Sequence, residues 1–159
     1  MYGKVDGNCR RGVEEVEFAV SEGMKVRKLY IVNDGAENVD MLITATLLNP
    51  TDYRFVRAMC NGREVRDVLQ GYHEGCLDLV EFEVWGRERD LYDVAYDLYY
   101  IDSMERANLF NMIFVVETEE GEYVEFSIVD IRNWMLDEFV EEAEGVWGEE
   151  DELEEVKVA

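Results

Sequence analysis

The sequence predicts a mainly β fold: an antiparallel β-sandwich or jelly-roll-like single domain with one C-terminal α-helix. Three observations carry that expectation. Apolar and polar residues alternate with period two along most of the chain. Turn signals recur at intervals of about a dozen residues, the spacing of sandwiches and barrels. Only near the C-terminus does the period change to that of a helix, so too few helical segments intervene for a parallel βαβ sheet.

The elements follow in order. Val16, Phe18 and Val20 alternate with Glu15 and Glu17, a half-buried strand. Met24 to Asn33 is a second strand, whose phase slips near Lys28 and is reconciled by a bulge. Asn33-Asp34-Gly35 makes a turn. Val39, Met41, Ile43, Ala45 and Leu47 alternate as a strand, with Leu42 and Leu48 on a partly apolar outer face. Tyr53 to Cys60 and Arg63 to Leu69 flank Asn61-Gly62, a hairpin signal. Gln70 to Gly75 reads as a loop. Leu77 to Trp85 alternates again, with Val80, Phe82 and Val84 against Glu81, Glu83 and Trp85.

Leu91 to Ile101 fits two periods. A strand places Tyr92, Val94, Tyr96, Leu98 and Tyr100 on one face, whereas a helix groups Leu91, Val94, Ala95, Leu98 and Ile101. The tyrosine content favours the strand. Asn108 to Thr118 and Glu122 to Asp130 form a hairpin through Glu119-Glu120-Gly121. Asp130 then caps a helix over about 131–144, with Leu136, Phe139, Val140 and Ala143 as its stripe and Gly145 as its stop. The domain spans residues 1–146, and 147–159 is an acidic tail.

Charge excludes several functions. The 159 residues carry 15 Lys+Arg and 38 Asp+Glu, a net charge of −23. A direct nucleic-acid binder needs clustered cations to hold phosphates, so none is expected here. Residues 137–159 hold 11 acids and one Lys, so the preceding body is acidic in its own right. Glu outnumbers Asp 25 to 13 and there is one Gln, a bias that fits a hot environment ahead of a salty one. No apolar run is long enough to span a membrane, and Met1 to Arg11 has no signal-peptide core. A cytoplasmic or virion location, without signal-peptide secretion, is expected.

Few catalytic parts stand out. Cys9, Cys60, His73 and Cys76 offer the donor set of a Cys₃His zinc site. Their spacing lacks an anchoring CxxC pair, so buried, reduced, inert cysteines and a loop histidine are expected, with no metal and no cofactor. A Cys76–His73 nucleophile pair lacks an orienting third group. Asp34, Glu37 and Asp40 lack EF-hand spacing and read as a solvated turn. An enzyme is the least favoured class.

Two surfaces remain. Tyr92, Tyr96 and Tyr100, with Trp85, Leu42 and Leu48, make a partner surface, since Tyr supplies large, rigid contact area with a polar tip. The pairs Glu15/Glu17, Glu81/Glu83 and Glu117/Glu119 sit two apart on strands and could imitate a phosphate backbone. The leading expectation is a non-enzymatic protein–protein interaction or assembly module, a structural or adaptor part such as a virion or appendage component. It would form homo-oligomers or take a basic protein partner. An acidic nucleic-acid mimic that inhibits a DNA-binding protein is the alternative, and a carboxylate-dependent hydrolase the second alternative.

Overall fold

A computed structural model of the chain describes residues 24–85, 89–104 and 108–136. Its elements run β1 (Val26–Asn33), α1 (Asn38–Leu47), β2 (Tyr53–Cys60), β3 (Arg63–Val65), α2 (Val68–Glu74), β4 (Leu77–Val84), α3 (Leu91–Met104), β5 (Met112–Thr118), β6 (Tyr123–Phe126) and α4 (128–136). The six strands form one open antiparallel sheet in the order β3-β2-β4-β1-β5-β6. The fold is therefore mixed α/β. The mainly β sandwich or jelly-roll expectation is wrong: helices, interspersed between strands, stand where a second sheet was expected.

Three segments account for the error. Val39–Leu47 is the helix α1, not a strand. Its buried residues Met41, Thr44, Ala45 and the following Leu48 stand three or four apart, while Val39 and Leu47 are exposed. As a strand its outer face would have left Leu42 and Leu48 among polar residues; the helix turns Leu42 toward the core and leads into the buried Leu48. Leu91–Ile101 takes the helical alternative. Leu91, Val94, Ala95, Leu98 and Ile101 are all buried, and Tyr96 and Tyr100 point outward. Asp90 caps α3 reciprocally with Asp93, each backbone N–H donating to the other's carboxylate, at 3.1 and 2.9 Å. The third segment, Gln70–Gly75, lies mostly in α2, which Asp67 caps by accepting from the Gln70 N–H at 2.8 Å.

Turn chemistry behaves as its residues dictate. Asn61 and Gly62, at φ 52° and 82°, make the β2–β3 hairpin. Gly75, at φ 69°, ends α2 with its N–H on the Gly71 and Tyr72 carbonyls. The β1 register slips between Val26 and Lys28, where the sequence asked for a bulge. The α4 cap lies at Ser127, three residues before the expected Asp130; Asp130 reaches back and accepts from the Ser127 N–H at 2.9 Å. The first expected strand, the far half of the C-terminal helix and the acidic tail lie outside the described residues.

One sheet face carries the main core. Leu29 and Ile31 (β1), Val80 and Phe82 (β4), Phe114 and Val116 (β5) and Phe126 (β6) meet Met41, Ala45, Leu91, Val94, Leu98 and Ile131 from the helices. Leu77 enters β4 with both backbone groups held by side chains: its N–H donates to Asn38 Oδ1 at 2.7 Å, and its carbonyl accepts from Asn33 Nδ2 at 2.9 Å.

Candidate functional site

The register places the second sheet face residue by residue. Arg54, Glu83, Lys28, Glu117 and Tyr123 form one row across β2, β4, β1, β5 and β6. Arg57, Glu81, Tyr30, Val115 and Glu125 form the next, and Met59, Leu79, Val32 and Ile113 the one beyond. The face thus grades from charged at the β1 start to apolar at the β1 end, where Tyr30, Leu79 and Val115 cluster.

Three carboxylates in those rows, those of Glu81, Glu83 and Glu117, hold partners on the same face. Glu81, only 6% exposed, takes Lys28 Nζ and Arg57 Nε at 3.0 Å each. Glu117, 10% exposed, accepts from Arg27 Nε at 2.9 Å and from the Tyr30 hydroxyl at 3.5 Å. The hydrogen bond to Glu117 raises the pKa of Arg27, and the one to Glu81 raises that of Lys28, each against a lesser opposing effect of burial. Glu83 lies in the same face and accepts from Trp85 Nε1 at 3.0 Å. Glu119 stands in the β5–β6 turn, its N–H bonded to the Lys25 carbonyl. Of the acids that suggested a phosphate-like row, Glu81, Glu83 and Glu117 are therefore matched by cations or ring donors of the same face; Glu15 and Glu17 lie outside the described residues.

Trp85 is half-exposed, with the Arg54 guanidinium 4.2 Å above its ring. It borders a cleft of about 480 Å³ lined also by Arg27, Lys28, Glu83, Val84 and Glu117. Its indole stands on this second face, opposite the helical layer. The structure therefore separates Trp85 from the tyrosines that the sequence grouped with it.

Those tyrosines share one face of α3. Tyr92 and Tyr96 stack with ring centroids 6.3 Å apart, and Tyr96 and Tyr100 are 49% and 50% exposed. Spacing of four residues on a helix makes a single stripe. Leu48 is buried in the core and so leaves the expected contact surface, while Leu42 packs partly buried against that core.

Behind the stripe, α3 is held to the sheet by a polar latch the sequence did not reveal. The Tyr53 hydroxyl donates to Asp97 Oδ2 at 2.5 Å. Arg89 Nη2 donates to the same oxygen, and Arg89 Nη1 lies 3.5 Å from Asp52. Burial raises the Asp97 carboxyl above its ordinary range, although Tyr53 and Arg89 oppose it. Burial also pushes the Tyr53 phenol well above its usual value, with Asp97 adding to the effect. Burial would lower the Arg89 guanidinium, but Tyr53 and Asp97 outweigh it and leave its pKa raised.

Cys60 and Cys76 are not the reduced thiols the sequence led us to expect. Cys60 and Cys76 form a disulfide with Cα atoms 4.9 Å apart, and Cys9 lies outside the described residues. Among the described residues, His73 does not join Cys60 and Cys76 in a donor cluster. Glu74, not His73, brings a donor atom within 4.8 Å of both sulfurs. Among the described residues, Asp34, Glu37 and Asp40 form no such cluster.

No protein-family model, curated protein or solved structure matches the chain. Its functional reading rests on the geometry.

Proposed function

We propose that the protein is a non-enzymatic assembly module whose copies associate through the tyrosine face of α3. One observation carries the reading: Tyr92, Tyr96 and Tyr100 line one side of a helix whose opposite side is fully packed, and the last two are half-exposed. Aromatic rings with few rotatable bonds give contact area at low entropic cost, and their hydroxyls keep the face soluble before contact. A helix stripe can also meet its own copy about a two-fold axis, with tyrosine hydroxyls serving as both donors and acceptors. Each copy carries −23, so charge repulsion opposes the contact and salt relieves it.

Size-exclusion chromatography with light scattering across a salt series tests this. A defined oligomer that persists or tightens from 0.1 to 1 M salt (about 10 to 3 Å of screening length) is expected. The double variant Tyr96→Ala/Tyr100→Ala should be monomeric with an unchanged circular-dichroism spectrum. A wild-type chain that is monomeric at every salt concentration overturns the reading. So does an assembly that dissolves as salt rises, since that behaviour belongs to a basic partner.

A further inference from the structure

We propose that Cys60, Glu74 and Cys76 form a binding site for a soft, tetrahedral divalent cation such as zinc, open only when the Cys60–Cys76 disulfide is reduced. The donors come from three elements that end at one corner of the sheet. Cys60 closes β2, Glu74 closes α2, and Cys76 precedes β4. Their sulfur and carboxylate atoms already lie within 4.8 Å of one another, with the nearer Glu74 oxygen 3.9 Å from Cys76 Sγ. Two thiolates on one tetrahedral zinc stand about 3.8 Å apart, given zinc–sulfur bonds of about 2.3 Å. Rotation of the two cysteine side chains supplies that separation while the backbone stays in register. The donor set, two soft thiolates with one carboxylate, leaves a fourth position for water on the exposed Glu74 side.

The surroundings orient the ligands. Gln70 Nε2 donates to one Glu74 oxygen at 2.8 Å and Arg63 Nη2 to the other at 2.5 Å, fixing the carboxylate beside the sulfurs. The left-handed Gly75 turns the chain directly from Glu74 to Cys76. The Asn33 and Asn38 amides hold Leu77, which is also the ladder partner of Cys60. A β-carbon at Gly71 would run into the Leu77 side chain, so any larger residue there would force Leu77 or α2 to shift. Cys60 is fully buried and Cys76 part-exposed, so an ion or a reductant enters past Cys76.

Opening the site is a two-electron step. An external thiol reductant delivers two electrons and two protons to the Cys60–Cys76 bond. The bond breaks to two thiols, and the reductant leaves as its own disulfide. The cation then displaces both thiol protons and binds two thiolates. Either state ties the end of β2 to the start of β4: a covalent bond when oxidised, a metal bridge when reduced. This proposal does not depend on the α3 contact.

Zinc titration of the full-length chain against a chromophoric chelator tests it. The chain is first reduced with a phosphine, which is then removed under argon. One zinc per reduced chain is expected, and none per oxidised chain. Cobalt in place of zinc should give a near-ultraviolet thiolate-to-metal charge-transfer band. Cys76→Ser should abolish uptake, Glu74→Gln should weaken it at least tenfold, and Cys9→Ser should retain it. Because the glutamate lies on the surface, Glu74→Gln keeps the test informative where a cysteine variant fails to fold. Reduced, folded wild-type chain that takes up no zinc overturns the proposal. Undiminished affinity in Glu74→Gln, or loss of uptake in Cys9→Ser, also overturns the assigned trio.

Discussion

The two faces of the sheet bury side chains by different means. On the helix-covered face, Phe82, Phe114, Val116 and Phe126 meet apolar helix residues, and the rings of Phe114 and Phe126 lie 5.8 Å apart. On the opposite face, buried Glu81 and Glu117 hold half-exposed cations beside a small apolar cluster. A covered apolar face gains from every methylene it removes from water. A paired carboxylate gains little net, because its desolvation offsets most of the attraction. The first face should therefore carry the stability, and the second should fix which strand lies beside which: a register slip by one residue would set Glu81 against the core. The largest expected effect follows. Phe114→Ala, at a fully buried position, should cost about 3–5 kcal/mol, nearly independent of salt. Urea unfolding at low and high salt measures it, and a loss below about 1 kcal/mol would break the contrast between the faces.

The second face should respond less, and differently. Glu81→Gln removes the charge shared by Lys28 and Arg57 while keeping the side chain's size. Both cations are part-exposed and can return to water, so the expected cost is about 1–2 kcal/mol, below the range for a fully buried pair. Because the lost term is electrostatic, the gap to wild type should narrow in 1 M salt. An equal loss at both salt concentrations would mean that Glu81 acts through packing, and the two faces would then differ only in degree.

Much of this arrangement was legible residue by residue, and the part that was not has a physical cause. Asn61-Gly62, Glu119-Glu120-Gly121 and the bulge near Lys28 are local statements about φ and register, and they hold. The alternation in β4 holds too, because Glu81 and Glu83 give its second face an unmistakable polarity. It fails for α1 and α3, where apolar residues occupy both parities and periods of two and 3.6 fit the same letters. For the site, the exposed Tyr96, Tyr100 and Trp85 were visible as types, but their separation onto opposite sides depended on α3 being a helix. The ion pairs were invisible because Arg57, Glu81 and Lys28 become neighbours only through the strand order β2-β4-β1. Glu74 was lost among 38 acids; only its place at the end of α2 beside two cysteines distinguishes it.

Tyr53 belongs to both modes of burial and sharpens the contrast most finely. Its ring sits in the apolar cluster, edge-on to Phe82 at 6.5 Å, while its hydroxyl donates to Asp97 beside Arg89. At pH 7 Tyr53→Phe removes one hydrogen bond to a carboxylate that keeps Arg89, so it should cost about 1 kcal/mol. At high pH the order changes. The folded phenol titrates well above its unfolded value of 10.0 because it is buried against Asp97. Above that unfolded value the unfolded chain loses the phenolic proton first, so the folded state binds more protons and stability falls as pH rises. The phenylalanine variant has no proton to lose at this position and is spared the fall. The stability gap between wild type and Tyr53→Phe should therefore shrink from about pH 10 upward and then invert, while between about pH 7 and pH 9, where neither Tyr53 nor Asp97 titrates, it stays flat. Denaturant midpoints measured every half pH unit for both chains test the sign. A gap that stays constant to about pH 12, two units past the ordinary phenol value, would place the hydroxyl in contact with water instead of buried against Asp97.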